Sequence, residues 1–99
     1  MPTYQIAYVR ERTIDGHDVY LIVVPMQPSF GQMSPDTQRQ TEAELQLRAS
    51  ATGLPGVVCL VWDAGAGRMG FIAPTTWHAY FQSLDMQRVM ANVNRTLYW

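Results

Sequence analysis

The chain has 99 residues, 47% hydrophobic and 15% charged, and seven basic against eight acidic side chains leave a formal charge of -1. That length suits a single domain, and the thin charged coat leaves apolar surface that a second subunit could cover. The basic residues, all arginine, are dispersed along the sequence; no clustered positive face for nucleic acid, no apolar run of the roughly 20 residues that cross a bilayer and no signal-peptide pattern can be read, so a cytoplasmic location is the default expectation.

From the N-terminus, Tyr4, Ile6 and Tyr8 alternate with Gln5, Ala7 and Val9, which predicts a strand over 3–12. The Asp15-Gly16 pair marks a turn, and the β-branched run in 17–26 predicts a second strand, so the two form an antiparallel hairpin. Residues 26–36 read as a loop ending in a helix start. There Ser34 can cap, Pro35 fits the first helical position and Asp36 complements the dipole. The helix is expected to run from Pro35 to about Thr52 and stop at Gly53. Ala43, Leu45, Leu47 and Ala49 are assigned to its core side, and Gln38, Glu42, Gln46 and Arg48 to solvent.

Val57 to Trp62 lacks alternation and reads as a central strand covered on both faces or shielded by a partner. Residues 68–73 form a shorter strand that Pro74 ends near an edge. Trp77, Tyr80, Phe81 and Leu84 then recur at the spacing of an amphipathic helix. Residues 85–99 fit a helix behind an Asp85 cap, through Met86, Val89, Met90, Val93 and Leu97, with a fifth strand as the alternative. Asn92, Asn94 and Thr96 weaken that helix by propensity. The expected fold is α+β, with two β-hairpins in a mostly antiparallel sheet carrying packed helices, in the order β-β-α-β-β-α plus a C-terminal helix or fifth strand.

Gly65-Ala66-Gly67-Arg68-Met69-Gly70 spells GxGxxG after an apolar run. A dinucleotide-binding loop must open a helix directly, but Phe71, Ile72 and Pro74 follow here, so the run reads as a hairpin bend. Asp85, at the distance of a ribose-binding carboxylate, falls between two helices and not at the end of a parallel strand. Gly70 inside a strand marks a bulge or the close approach of a neighbour such as the Trp62 ring.

Asp63 and Arg68 flank the bend and could pair across it, and Arg68 is the best-suited receptor for a small anion. Trp77 and His78 open the aromatic helix, and a half-exposed His78 could act as acid or base. Cys59 reads as an inert core thiol. Neither a metal site nor a cofactor is implied, since His17 and His78 are far apart and have no ligand pattern around them.

The opening "MPTYQIAYV" resembles that of the tautomerase superfamily, and the resemblance covers about the first nine residues. It implies a proline amine, here Pro2, exposed by removal of the initiator methionine and acting as general base or nucleophile at the start of a strand. It also implies a β-α-β order, whereas these residues read as strand, turn, strand.

Two functions from different classes are expected. The first is non-enzymatic protein-protein association, as a homodimer with Trp77, Phe81, Tyr98 and Trp99 at the interface. The alternative is a small enzyme or anion-binding protein, its pocket using Asp63, Arg68, Trp77 and His78, with His78 or Pro2 moving a proton.

Overall fold

Moderate alternation gives residues 3–12 one face for each side of a sheet, and they form strand β1 (Thr3–Arg12) in the structure, a computed structural model that describes residues 3–13 and 15–98. At the tip Gly16 takes φ +88° and the Thr13 amide donates to the His17 carbonyl at 2.8 Å, returning the chain into β2 (Asp18–Pro25). A 3-10 turn, Pro28–Gln32, leads to helix α1 (Pro35–Ala51). Ser34 caps α1 through the Thr37 amide, and the helix ends at Thr52 before Gly53 at φ +77°, as the sequence predicts.

The chain then forms β3 (Val57–Gly65) and β4 (Arg68–Ile72), a short turn Thr75–Trp77, α2 (His78–Gln82), α3 (Met86–Ala91) and β5 (Arg95–Tyr98). The sheet order is β4-β3-β2-β1-β5. Only β2 and β3 run parallel, joined across α1; the other pairs are antiparallel. The α+β class and the mostly antiparallel sheet agree with the sequence reading.

Both central strands are apolar at consecutive positions because both faces of the sheet are covered. Ile22, Val24, Val58 and Leu60 pack with Ile6, Phe30 and, from α1, Leu45 and Ala49. Leu21, Val23, Cys59 and Val61 pack on the opposite face with Ala7, Phe81 of α2 and Val89 of α3. Two thin cores therefore share one sheet.

Two expectations need correction. The tail is neither one helix nor one strand: Asp85 caps α3 through the Arg88 amide, the helix stops at Asn92, and residues 95–98 then pair with β1. The inward side of α1 is also only partly the one assigned: Leu45 and Ala49 are buried and Arg48 is exposed as expected, but other positions differ. Leu47 is 71% exposed and Ala43 is exposed, whereas Gln38, Glu42 and Gln46 are half-buried.

Hydrogen bonding explains why Gln38 and Gln46 turn inward. Gln38 Nε2 donates to the Phe30 carbonyl at 2.9 Å, which fastens the 3-10 turn to the helix. Gln46 Nε2 donates to the Gly56 carbonyl at 3.1 Å, and its Oε1 accepts from the Val58 amide at 2.8 Å. Leu60 lies opposite Ile72, so the same register would place Pro74, which has no N–H, opposite Val58. The Gln46 side chain supplies the partner that β4 cannot.

Candidate functional site

The β3–β4 bend is built by backbone conformations that glycine tolerates: Gly65, Ala66 and Gly67 have φ of +89°, +53° and +74°. Asp63 Oδ1 accepts from the Gly65 amide at 2.8 Å, and a bulge places Arg68 opposite Gly65. The glycine run is thus a hairpin bend. Among the described residues Asp63 and Arg68 form no ion pair, because the Asp63 carboxylate is turned onto the bend's own backbone. A cavity of about 300 Å³ lies beside them, lined by Asp63, Arg68, Asp85 and Gln87 among others. Two carboxylates against one guanidinium make it a poor receptor for an anion.

On the opposite side of the bend Trp62 lies in a slot. It faces Gly70 across the β3–β4 pair, and its ring meets Phe30 edge-on at 5.3 Å. A Cβ on Gly70 would stand 2.3 Å from the indole, and one on Gly31 would stand 2.5 Å from its Nε1. The close approach expected at Gly70 is present, and Gly31 is a second wall that the sequence does not announce. The adjoining cavity, about 460 Å³, is lined by Pro28, Ser29, Gly31, Gln32 and residues 62–65.

His78 is engaged elsewhere. Its Nε2 lies 2.9 Å from the Ala73 carbonyl, and since a carbonyl only accepts, that nitrogen carries the proton and donates. The ring also meets Phe71 edge-on at 5.3 Å. Arg68 opens β4 and Ala73 follows its end, so five residues at about 3.3 Å each separate them by about 16 Å. Arg68 and His78 do not line one cavity, so that expected constellation is not assembled.

Trp77 is half-buried and stands edge-on to Tyr80 at 6.0 Å. Phe81 is 1% exposed and stacks on Phe71 at 5.6 Å. Phe81 is therefore interior and offers no surface to a partner, a correction that follows from α2 turning its apolar side onto the sheet. Tyr98 is 68% exposed on the edge strand. Pro2 and Trp99 lie outside the described residues.

No family model matches the sequence, and no curated protein or solved structure is similar to it. The resemblance of residues 1–9 to the tautomerase opening therefore stands alone, and β1 is followed by a turn and β2 where that family would place a helix. Among the described residues no group of three or more His, Cys, Asp or Glu side chains could hold a metal ion, and no helix is long and apolar enough to cross a membrane.

Burial governs the titrating groups that depart from their ordinary values. The Cys59 thiol is pushed up to about 12 by burial, with the Glu42 charge adding to it, so it is no thiolate nucleophile near neutrality. Burial also raises the Tyr80 phenol to about 12, assisted by the Glu11 carboxylate. Glu42 is raised by burial alone; it lines an open cavity of about 390 Å³ with Arg39, Gln46 and Pro74.

One grouping went unread in the sequence. Tyr8 and Tyr20 stack at 5.2 Å with ring planes 9° apart, and the Arg95 guanidinium lies 4.8 Å above the Tyr8 ring. The parity of β1 already places Tyr4, Tyr8, Arg10 and Arg12 on one face. The arrival of Arg95 beside them depends on β5, a long-range pairing with no local signal.

Proposed function

We propose that the protein is a non-enzymatic association module whose first partner is a second copy of itself, joined along β5. The observation that carries this reading is Tyr98, which is 68% exposed on the outer strand of the sheet. An open strand edge presents unpaired amide and carbonyl groups to another chain, and an exposed tyrosine supplies contact area at low entropic cost. Met90 of α3, 47% exposed, adds apolar surface shortly before β5. Neighbouring Thr3, Gln5 and Thr96 are exposed and uncharged, and the one charge on β5, Arg95, lies over the Tyr8 ring.

The engagement of His78 and the inert state of Cys59 favour this reading over proton transfer or nucleophilic catalysis. Sedimentation equilibrium tests it. The intact chain is expected at twice the chain mass at micromolar concentration, and Tyr98→Glu, at a position too exposed to disturb the core, is expected at the chain mass. A monomeric parent protein, or a Tyr98→Glu variant that stays dimeric, rejects it.

A further inference from the structure

Three of the seven arginines, Arg10 and Arg12 of β1 and Arg95 of β5, lie on one face of the sheet, with Arg95 about 14 Å along the strand from Arg10 at about 3.4 Å per residue. Arg10 and Arg12 share the β1 face that carries Tyr8, about 7 Å apart at 3.4 Å per residue. Arg10 stands opposite Tyr20, Arg12 opposite Asp18, and Arg95 opposite Ile6. All three arginines are exposed. Asp18 pairs with Arg12 at 3.5 Å, and among the described residues Arg10 has no ion pair. Three guanidinium charges against Asp18, with Asp15 at the hairpin tip as the next carboxylate, leave this corner net positive on a chain whose formal charge is -1.

The aromatic component is equally ordered. The Arg95 guanidinium, Tyr8 and Tyr20 form one column, and Tyr8 is anchored by its hydroxyl, which donates to the Pro55 carbonyl at 2.8 Å. A guanidinium placed over a ring face gains a cation–π contact there and still has N–H donors to offer an oxygen anion.

We propose that this face of β1, β2 and β5 binds single-stranded nucleic acid, with phosphates on Arg10, Arg12 and Arg95 and a base laid against the tyrosine–arginine column. Positive charge beside stacked rings, where this sheet face runs out past the α1 core to exposed Arg10, Arg12 and Arg95, suits an unpaired strand, whose bases are available for stacking. A duplex would require an element that enters a groove, and this face has none. An acidic peptide would satisfy the charges but would leave the stacking surface unused. The inference is independent of self-association, because every group named belongs to one chain.

The test is fluorescence anisotropy of a labelled oligothymidylate titrated with the intact chain at low salt. Binding is expected, with log K falling against log salt at a slope of about -2, from three phosphates at about 0.7 each. The combined substitution Arg10→Gln, Arg12→Gln and Arg95→Gln should weaken binding at least about tenfold and flatten that slope. Tyr20→Leu should weaken it about fivefold or more with the slope retained, the signature of lost stacking. If the triple variant unfolds, Arg10→Gln alone carries the test, with a slope shallower by about 0.7. Four results overturn the proposal: no binding at low salt, equal affinity for polyglutamate, tighter binding of duplex than of single strand, or affinity indifferent to the arginine and Tyr20 substitutions.

Discussion

At Gly70 and Gly31 the constraint comes from a neighbour and not from the backbone. Neither has a φ in the left-handed region, yet a Cβ at either would lie within 2.5 Å of the Trp62 indole. Gly70→Ala is expected to lower unfolding free energy by about 1–3 kcal/mol, the usual cost of overpacking. In a Trp62→Leu background the same substitution should cost much less, and the difference is the coupling that a double-mutant cycle in urea measures. Glu42 gives a second prediction. Burial holds its pKa above the ordinary glutamate value, so the folded state binds this proton more tightly than the unfolded state. Stability then falls as pH rises from the ordinary glutamate pKa through the folded one. Glu42→Gln should raise the melting temperature at pH 7 and leave it unchanged at pH 3, where Glu42 is protonated in both states. The Gly70 contact was legible because a glycine within a strand needs a reason, and Trp62 stood at a plausible register. Glu42 was misplaced because a polar residue at helical spacing reads as solvent-facing, and its half-burial follows from what α1 must hold.

Two side-chain amides finish what the strands leave undone. Gln46 occupies the β3 edge beyond the end of β4. On the other side of the sheet, Asn94 Oδ1 accepts from the Tyr8 amide at 2.9 Å while its Nδ2 donates to the Tyr8 carbonyl at 3.0 Å. Their environments differ, and so should their contributions. Gln46→Ala strips partners from half-buried groups and is expected to cost about 1–3 kcal/mol. Asn94→Ala, at an exposed site where water can replace the lost bonds, should cost no more than about 1 kcal/mol. Urea unfolding gives both values, and hydrogen exchange should show the Val58 amide losing protection in the first variant. Local signals placed α1, its Ser34 cap and the β3–β4 bend because each is decided within a few residues. The tail was ambiguous because residues 86–91 follow a helical period behind the Asp85 cap, while residues 95–98 are a strand only by virtue of β1, some ninety positions earlier.

The whole sheet has two edges, β4 and β5, and they are unequally suited to pairing. β4 carries Arg68 at its start and is cut short before Pro74, a residue that cannot donate to a ladder. β5 has no proline, and its one charge, Arg95, lies over Tyr8. Antiparallel pairing of two β5 strands about a two-fold axis normal to the sheet would give one continuous ten-stranded sheet. It would also bring both Arg95 side chains to the same face, so that two arginine–tyrosine surfaces adjoin. The proposed pairing predicts a concentration-dependent pattern of hydrogen exchange. Amides of residues 95–98 should exchange more slowly as protein concentration rises through the dimer dissociation constant, while those of residues 68–72 keep their rates. Slowing confined to residues 68–72 would move the contact to the opposite edge and reject β5. Slowing at neither edge in a sample that sediments as a dimer would reject edge pairing itself and leave the helical face around Met90 as the surface to test next by substitution.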